Sequence, residues 1–507
     1  MSAVGNRVLL TYACAAAVMF GAATPVLAQS PVAPAGQPAP PAATTPAALR
    51  LGSVLMSGTF RTRTEAWDWF AGDANNSYVF QGSLLRLSFA QTRRRVDWQV
   101  EMAAPVLLGL PDDAVAPGVQ GGLGIGANYF VSNGRSRNAA NLFPKQAFVR
   151  FKNLAGRRGQ QVGVGRLEFI EGTEVMPANG SLAALKRDHV AHRLIGNFGF
   201  THVMRSFDGV EYGFQTPRTN VTVLAARPTQ GVFQVNGWRD LNATVVYGAV
   251  THQMPSTRGA GEWRAFVIQA DDFRDVVKTD NRPLAARTAD AGALHVTTIG
   301  GHYIRVVERP WGDIDALVWG AGQVGRWGRL DQRAASIVGE VGWQPKQIPA
   351  LKPWLRAGAL FASGDGDPSD ARHATFFQLF PTARWYSRFP FYALMNLHDE
   401  YGSVLLRPHP KVSVRTEVHV LRVADTHDLW YQGGGAFQPA TFGYTGKPSG
   451  GQSRVATLYD TALDVTINRR LALTGYAAAA RGGGVAAATY PQGPHAALGF
   501  VEANVRF

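Results

Sequence analysis

From about Leu51 to Phe507, apolar and polar residues alternate with period two, segment after segment. No stretch after Ala28 supplies the run of about 18 apolar residues that a membrane helix needs. In Val54 to Trp67, Met56, Gly58 and Phe60 share one face, while Thr59, Arg61, Arg63 and Glu65 share the other. In Arg95 to Met102, Val96, Trp98, Val100 and Met102 alternate with Asp97, Gln99 and Glu101. Lys411 to Val423 and Val455 to Ile467 repeat the pattern, the latter with Leu463, Val465 and Ile467 set against Asp464 and Thr466. A side-chain period of two is that of a strand with unlike faces. A soluble sandwich alternates too, but such a chain is usually far shorter. In lipid every backbone group must be paired internally, and a closed sheet achieves this by having no edges. The expected fold is therefore all-β: a single transmembrane antiparallel β-barrel spanning residues 51–507.

Connections alternate between short and long. Thr92 to Arg94, Asn153 to Gln160, Thr216 to Asn220, Arg309 to Asp313, Pro408 to Pro410 and Asn468 to Arg470 are short. Ala104 to Asn141, Glu171 to Arg205, Ser363 to Phe389 and Ala424 to Arg454 are long. Bacterial barrels put short turns in the periplasm and long loops outside, and they favour even strand numbers. Strand-like segments number 17 to 19, so about 18 strands are expected. The chain ends on an alternating strand, with Phe507, Val505, Ala503 and Val501 on one face and Arg506, Asn504 and Glu502 on the other. A terminal Phe in this setting looks like the signal that the barrel assembly machinery recognises.

The N-terminus fits the same destination. Arg7 precedes an apolar run, Val8 to Ala23, that ends at Pro25-Val26-Leu27-Ala28. The run is short for a membrane span and reads as a secretory signal peptide, residues 1–28. Residues 29–50 are rich in Pro and Ala and read as a disordered linker. The one cysteine, Cys14, lies inside the signal peptide, so cleavage leaves no disulfide and no thiolate metal site.

Two stretches resemble a known family. Val164-Gly165-Arg166-Leu167-Glu168-Phe169 is followed by Arg193-Leu194-Ile195-Gly196 and Arg205-Ser206-Phe207-Asp208-Gly209-Val210. Further on come Ser363-Gly364-Asp365, Pro368, Asp370 and Thr375 to Thr382. Together these are similar to the signature of the alginate export family of outer-membrane proteins. The resemblance implies an 18-stranded barrel with an electropositive lumen that exports an anionic polysaccharide. It also places Arg193, Arg205 and Asp208 in the motif. Two departures bear on the substrate: the interval Glu171 to His192 is long, and Ala383 to Ser387 replace the family's usual Gly and Asp.

The chain holds 50 Lys and Arg against 36 Asp and Glu, for a formal net charge of +14. Secretion argues against nucleic acid as the partner and leaves an anionic surface or solute. The predicted lumen-facing residues are Arg61, Arg63, Arg150, Arg356, the pairs Arg166 with Glu168 and Arg415 with Glu417, and the motif residues Arg193, Arg205 and Asp208, although Asp208-Gly209 also reads as a plain turn. A guanidinium keeps its charge and holds a carboxylate through two hydrogen bonds. A ring of them makes an anion pathway, while nearby acids keep binding weak enough for release. The bland alternative is that the same pairs merely brace neighbouring strands. Asp365, Asp367 and Ser369 open like a calcium loop, but the central Gly and the closing Glu are missing. No nucleophile–base, Walker or zinc motif is present. The expected function is a channel for an anionic solute, most simply an exported acidic polysaccharide, in a bacterial outer membrane. The expected partners are outer-membrane lipid, the assembly machinery and the anionic solute, with no cofactor and no metal. Uptake of small anions is the alternative, and a barrel enzyme acting on surface lipid or carbohydrate is the more distant one.

Overall fold

A computed structural model describes residues 49–381 and 387–507. The signal peptide and most of the linker lie outside the described residues, as does most of the Ala383 to Ser387 departure.

Eighteen strands close into one antiparallel barrel. They are β1 (Val54–Asp68), β2 (Ser77–Thr92), β3 (Val96–Leu108), β4 (Phe143–Lys152), β5 (Gln160–Leu167) and β6 (Phe207–Gln215). Next come β7 (Thr219–Pro228), β8 (Ala243–Ser256), β9 (Gly259–Asp272), β10 (Leu294–Val307), β11 (Gly312–Trp327) and β12 (Leu330–Pro345). The last six are β13 (Trp354–Ala362), β14 (Leu397–His409), β15 (Val412–Arg422), β16 (Arg454–Thr466), β17 (Leu471–Gly482) and β18 (His495–Arg506). Each pairs with its neighbours in sequence, and β18 returns to β1 in the register Thr59↔Arg506 to Asp68↔Ala497. The even number brings both ends of the barrel to the same side, the side of the short turns.

The closing seam shows why the last residue matters. Gly58 N–H donates to the Phe507 carbonyl at 2.7 Å, and Phe507 N–H donates back at 3.0 Å. A Cβ at Gly58 would sit 2.5 Å from the Phe507 ring, so the glycine makes room for the terminal aromatic on the first strand. The outward face is a band of exposed aliphatic residues, among them Val79, Val149, Val164, Val210, Ile299 and Ile337. Trp263, Tyr303, Trp311 and Trp343 lie outward near the short-turn end. Aromatic residues at one level mark a bilayer boundary.

The interior is filled at the loop end. Trp67, Trp69, Phe70, Phe389, Phe391, Trp430 and Tyr490 form one aromatic cluster, with Phe70 stacked on Tyr490 at 5.4 Å and edge-on to Phe391 at 5.6 Å. The longest connection, residues 168–206, folds inward. It contains the short helix α1 (Gly180–Leu185), which begins at Asn179, whose side chain accepts from Leu182 N–H. It leans on a second inward segment through a parallel bridge, Ile195↔Phe380.

Candidate functional site

Inside the barrel the arginines meet carboxylates. Arg63 on β1 is 2.8 Å from Glu65 and 3.3 Å from Glu502, and its guanidinium lies 3.9 Å over the Phe200 ring. Arg61, one step nearer the turns, donates to the carbonyls of Gly199 and Thr201 and stands 3.9 Å from Glu502. Glu168 leaves the top of β5 and turns inward to Arg86 at 2.6 Å, Lys145 at 3.4 Å and the Asn197 amide at 3.1 Å. Arg356 on β13 holds Asp315 at 2.5 Å and Glu340 at 3.2 Å. Unpaired charge buried in a protein is costly, so such dense pairing is what permits so many ions inside a filled barrel.

The inward loop is fastened by the same chemistry at opposite walls. Halfway round the barrel from β1, Arg264 on β9 reaches Glu171 at 3.0 Å and Glu174 at 2.8 Å. Lys186 reaches Glu262 at 2.7 Å, with His302 on the same carboxylate at 3.0 Å. His189 meets Glu340 at 2.9 Å, and Asp188 meets Arg415 at 3.4 Å. His202 approaches Glu65 at 3.4 Å. Its ring lies so close to Gly82 of β2 that a Cβ there would come within 2.2 Å. Residues 168–206 therefore cross the lumen from wall to wall. Ser181 receives the Gln344 amide at 3.0 Å, at the last turn of β12, so the crossing reaches far toward the short-turn end. Burial pushes the imidazoles of His192 and His202 down to about 4, the latter helped by the Arg63 charge.

The pairs differ in tightness. Arg150 lies inward between the outward Val149 and Phe151, 4.9 Å over the Phe148 ring, with Glu211 only within 3.9 Å. Its Nε and Nη2 are buried without a hydrogen-bond partner. Arg415 and Glu417 border a small cavity with Asp188, His189, Arg356 and Ser403, and the Arg415 side chain is 30% exposed. Arg193 is fully buried, donates to the His189 carbonyl and lies 4.8 Å over the Trp319 ring. Arg205 donates to the Gly434 carbonyl and lies between the Phe198 and Phe380 rings at 5.8 and 5.7 Å.

One prediction is overturned. Arg166 does not share the inward face with Glu168. It pairs in register with Ala147 and Asp208, two residues along from the outward trio Val149, Val164 and Val210. Arg166 binds Asp208 through two hydrogen bonds of 2.7 and 2.6 Å and donates to the carbonyls of Gly237 and Trp238. Both Arg166 and Asp208 are thus on the outer wall at the loop end, and neither lines the lumen. The reason is that Leu167 and Phe169, which alternate with Arg166 and Glu168 along the chain, are buried against the interior rather than facing lipid, and Phe169 meets Tyr247 edge-on at 5.1 Å. The lumen is also less purely cationic than predicted, because carboxylates match its arginines nearly throughout. Arg86, Lys145 and Arg264 escaped the sequence reading. Arg86 and Arg264 carried the signal that Arg150 carried, a cation between apolar neighbours on a strand. The carboxylates Glu171 and Glu174 and the histidines His189 and His202 come from a loop without periodicity and gave none.

A model described as "Alginate export" matches residues 112–489. Among solved structures, the chain is similar to OccAB2 of Acinetobacter baumannii, with a TM-score of 0.57 at 8% identity over 90% of this chain and 99% of that one. It is similar to OccAB4 of the same organism, at 0.54 and 9% over 90% and 98%. It is also similar to OccK2 (OpdF) of Pseudomonas aeruginosa in complex with glucuronate, at 0.53 and 8% over 90% and 96%. At such identities the likeness is one of fold. A sequence search of characterised proteins finds no match.

Proposed function

Since the chain belongs to the alginate export family and is an outer-membrane β-barrel channel, we propose that it passes an anionic solute, an acidic polysaccharide being exported. The observation that carries this reading is the looseness of the Arg150 and Arg415 pairs amid tight ones. A tight buried pair braces the wall. An arginine with a distant or partly solvated partner can exchange that partner for a carboxylate on a passing uronate, and give it back. The complex of OccK2 with glucuronate gives a barrel of this fold with a uronate bound, which supports a carboxylated sugar as cargo. That same likeness favours a second reading, uptake of a small carboxylate, because a passive pore follows its gradient in either direction. No chemical step is assigned to the barrel. Phe507 on its seam is proposed as the residue that the assembly machinery engages.

The test is electrical. Purified protein in planar bilayers should give anion-selective current that a polyuronate blocks. Replacing Arg150 and Arg415 together by Gln should shift the reversal potential toward cation selectivity and weaken the block, with heat-modifiable migration retained. Unchanged selectivity in that folded variant would make both arginines braces and remove the support for an anionic cargo. Block by a polyuronate but not by monomeric glucuronate would separate export of a polymer from uptake of a small acid.

A further inference from the structure

The net positive charge of this protein is not in its lumen. The nine connections at the loop end carry sixteen Lys and Arg against sixteen Asp and Glu. The eight short turns at the other end carry thirteen Lys and Arg against a single acid, Glu308. Every turn contributes at least one cation. Arg93-Arg94-Arg95, Arg157-Arg158 and Arg469-Arg470 are the densest groups, and all seven are exposed. Among the described residues no carboxylate forms a salt bridge with any of the seven. In the lumen, by contrast, Arg63, Arg86, Arg264 and Arg356 are buried against carboxylates. One mouth is neutral and the other is ringed by free guanidinium.

We infer that this periplasmic ring is a capture surface for the polyanionic cargo, which loads the channel from the turn side. The inference rests on the anionic-polymer reading above and adds where and from which side the polymer first binds. A ring of like charges around an opening raises the local concentration of an oppositely charged chain and steers it to the mouth. Arginine suits the task, since each guanidinium takes a carboxylate in two hydrogen bonds yet releases it readily in water. Anionic phospholipid headgroups are the competing occupant, because the turns lie just past the aromatic level set by Trp311 and Trp343. Two observations favour the polymer. The outer rim, which faces the leaflet rich in lipopolysaccharide phosphate, is neutral, so attraction to lipid does not govern charge placement here. Arg157 and Arg158 are exposed in the connection of residues 153–159, which is longer than most of the other short turns and places them past the ends of β4 and β5.

The test uses full-length protein in planar bilayers, with a polyuronate added to one chamber at a time. Orientation is read from which chamber a charged thiol reagent must enter to modify A488C, an exposed position on the loop side. Wild type should be blocked from the turn side at about tenfold lower polyuronate than from the loop side, and the difference should shrink steeply from 50 to 200 mM salt. Replacing the seven arginines by Gln should bring the two sides level, and replacing them by Lys should restore the difference. The Lys variant guards against a folding defect, as does heat-modifiable migration. Equal block from both sides in wild type, or a difference that survives in the Gln variant, overturns the capture ring and leaves the anionic channel standing. A Gln variant that loses co-purifying anionic phospholipid while its asymmetry of block persists also overturns it, and assigns the ring to lipid. Absence of block from either side would instead refute the channel reading on which the ring depends.

Discussion

The lumenal wall and the turn-side rim are both rich in arginine, and the physics asks different things of them. On the wall, Arg63, Arg264 and Arg356 are buried, and each sits within 3.3 Å of two carboxylates. On the rim, Arg94, Arg158 and Arg470 are exposed, and among the described residues none of them forms a salt bridge. Burial makes a lone charge prohibitive, so a filled lumen has to buffer its own arginines with acids, whereas water tolerates a cluster of like charge. The arginine count of a barrel is therefore a poor guide to the potential inside it. What counts is which arginines the interior has already neutralised, and the loop of residues 168–206 does much of that neutralising here.

The strongest way to break the comparison is to take a cation from the wall. Arg264→Ala leaves Glu171 and Glu174 buried against β9 without their cation. Breaking a buried pair from one side costs about 3–5 kcal/mol. The cost falls on the loop anchor rather than on the strand ladder, so the loop should detach while the barrel persists. Expected outcomes are faster amide exchange and protease cleavage within residues 168–206, and a larger, noisier single-channel conductance. Exchange as slow as in wild type would mean that the other anchors, Lys186–Glu262 and His189–Glu340, hold the loop without Arg264.

Acid provides a gentler way. Burial holds His192 and His202 near 4, below the value of about 6.5 they take once exposed. A histidine depressed by folding is held neutral, so its contribution is intact above pH 6.5 and is lost as pH falls toward 4. The lumenal loop should thus loosen between pH 6 and 4, with conductance rising over that window and recovering on return to neutrality. The double variant H192F/H202F should flatten the dependence. A conductance constant from pH 7 to 4 would show that loop release, if it occurs, is not driven by these two groups.

The barrel itself was legible because lipid imposes a period of two on the outside of each strand. Phe60, Val149 and Phe151 are outward, and Arg61, Arg63 and Arg150 inward, as the alternation requires. The strand number and the alternation of short and long connections follow from the same constraint. Legibility stopped where the lumen stops being watery. At the loop end the interior is as apolar as the exterior, so Leu167 and Phe169 are buried inside although they alternate with Arg166 and Glu168 as a lipid face would. A polar residue opposite them is then assigned inward by mistake. The anchors of the inward loop were hidden for another reason: Glu171, Glu174, His189 and His202 meet partners 90 to 151 residues away in sequence (264 − 174 and 340 − 189), with no local repeat to announce them. For Lys186 and Glu262 the separation is 76, and for His202 and Glu65 it is 137.

That misassigned residue supplies the smallest predicted effect and the cleanest control. Arg166 and Asp208 form a two-hydrogen-bond pair on the outer wall, the arginine nearly covered and the aspartate 34% exposed. Arg166 also ties down the carbonyls of Gly237 and Trp238, so it clips the connection between β7 and β8 to the barrel's exterior. A partly solvated pair of this kind is worth about 1 kcal/mol or less. Arg166→Gln should therefore lower thermal stability slightly and speed exchange around Trp238, and it should leave reversal potential and polyuronate block unchanged. Arg150→Gln, only one strand away and on the opposite face, should do the reverse and change selectivity with little loss of stability. If Arg166→Gln shifted selectivity as much as Arg150→Gln, the outward register of β5 would be wrong, or the field at the loop-side mouth would be set by its rim, and the division between a neutralised interior and a free turn-side ring would have to be redrawn.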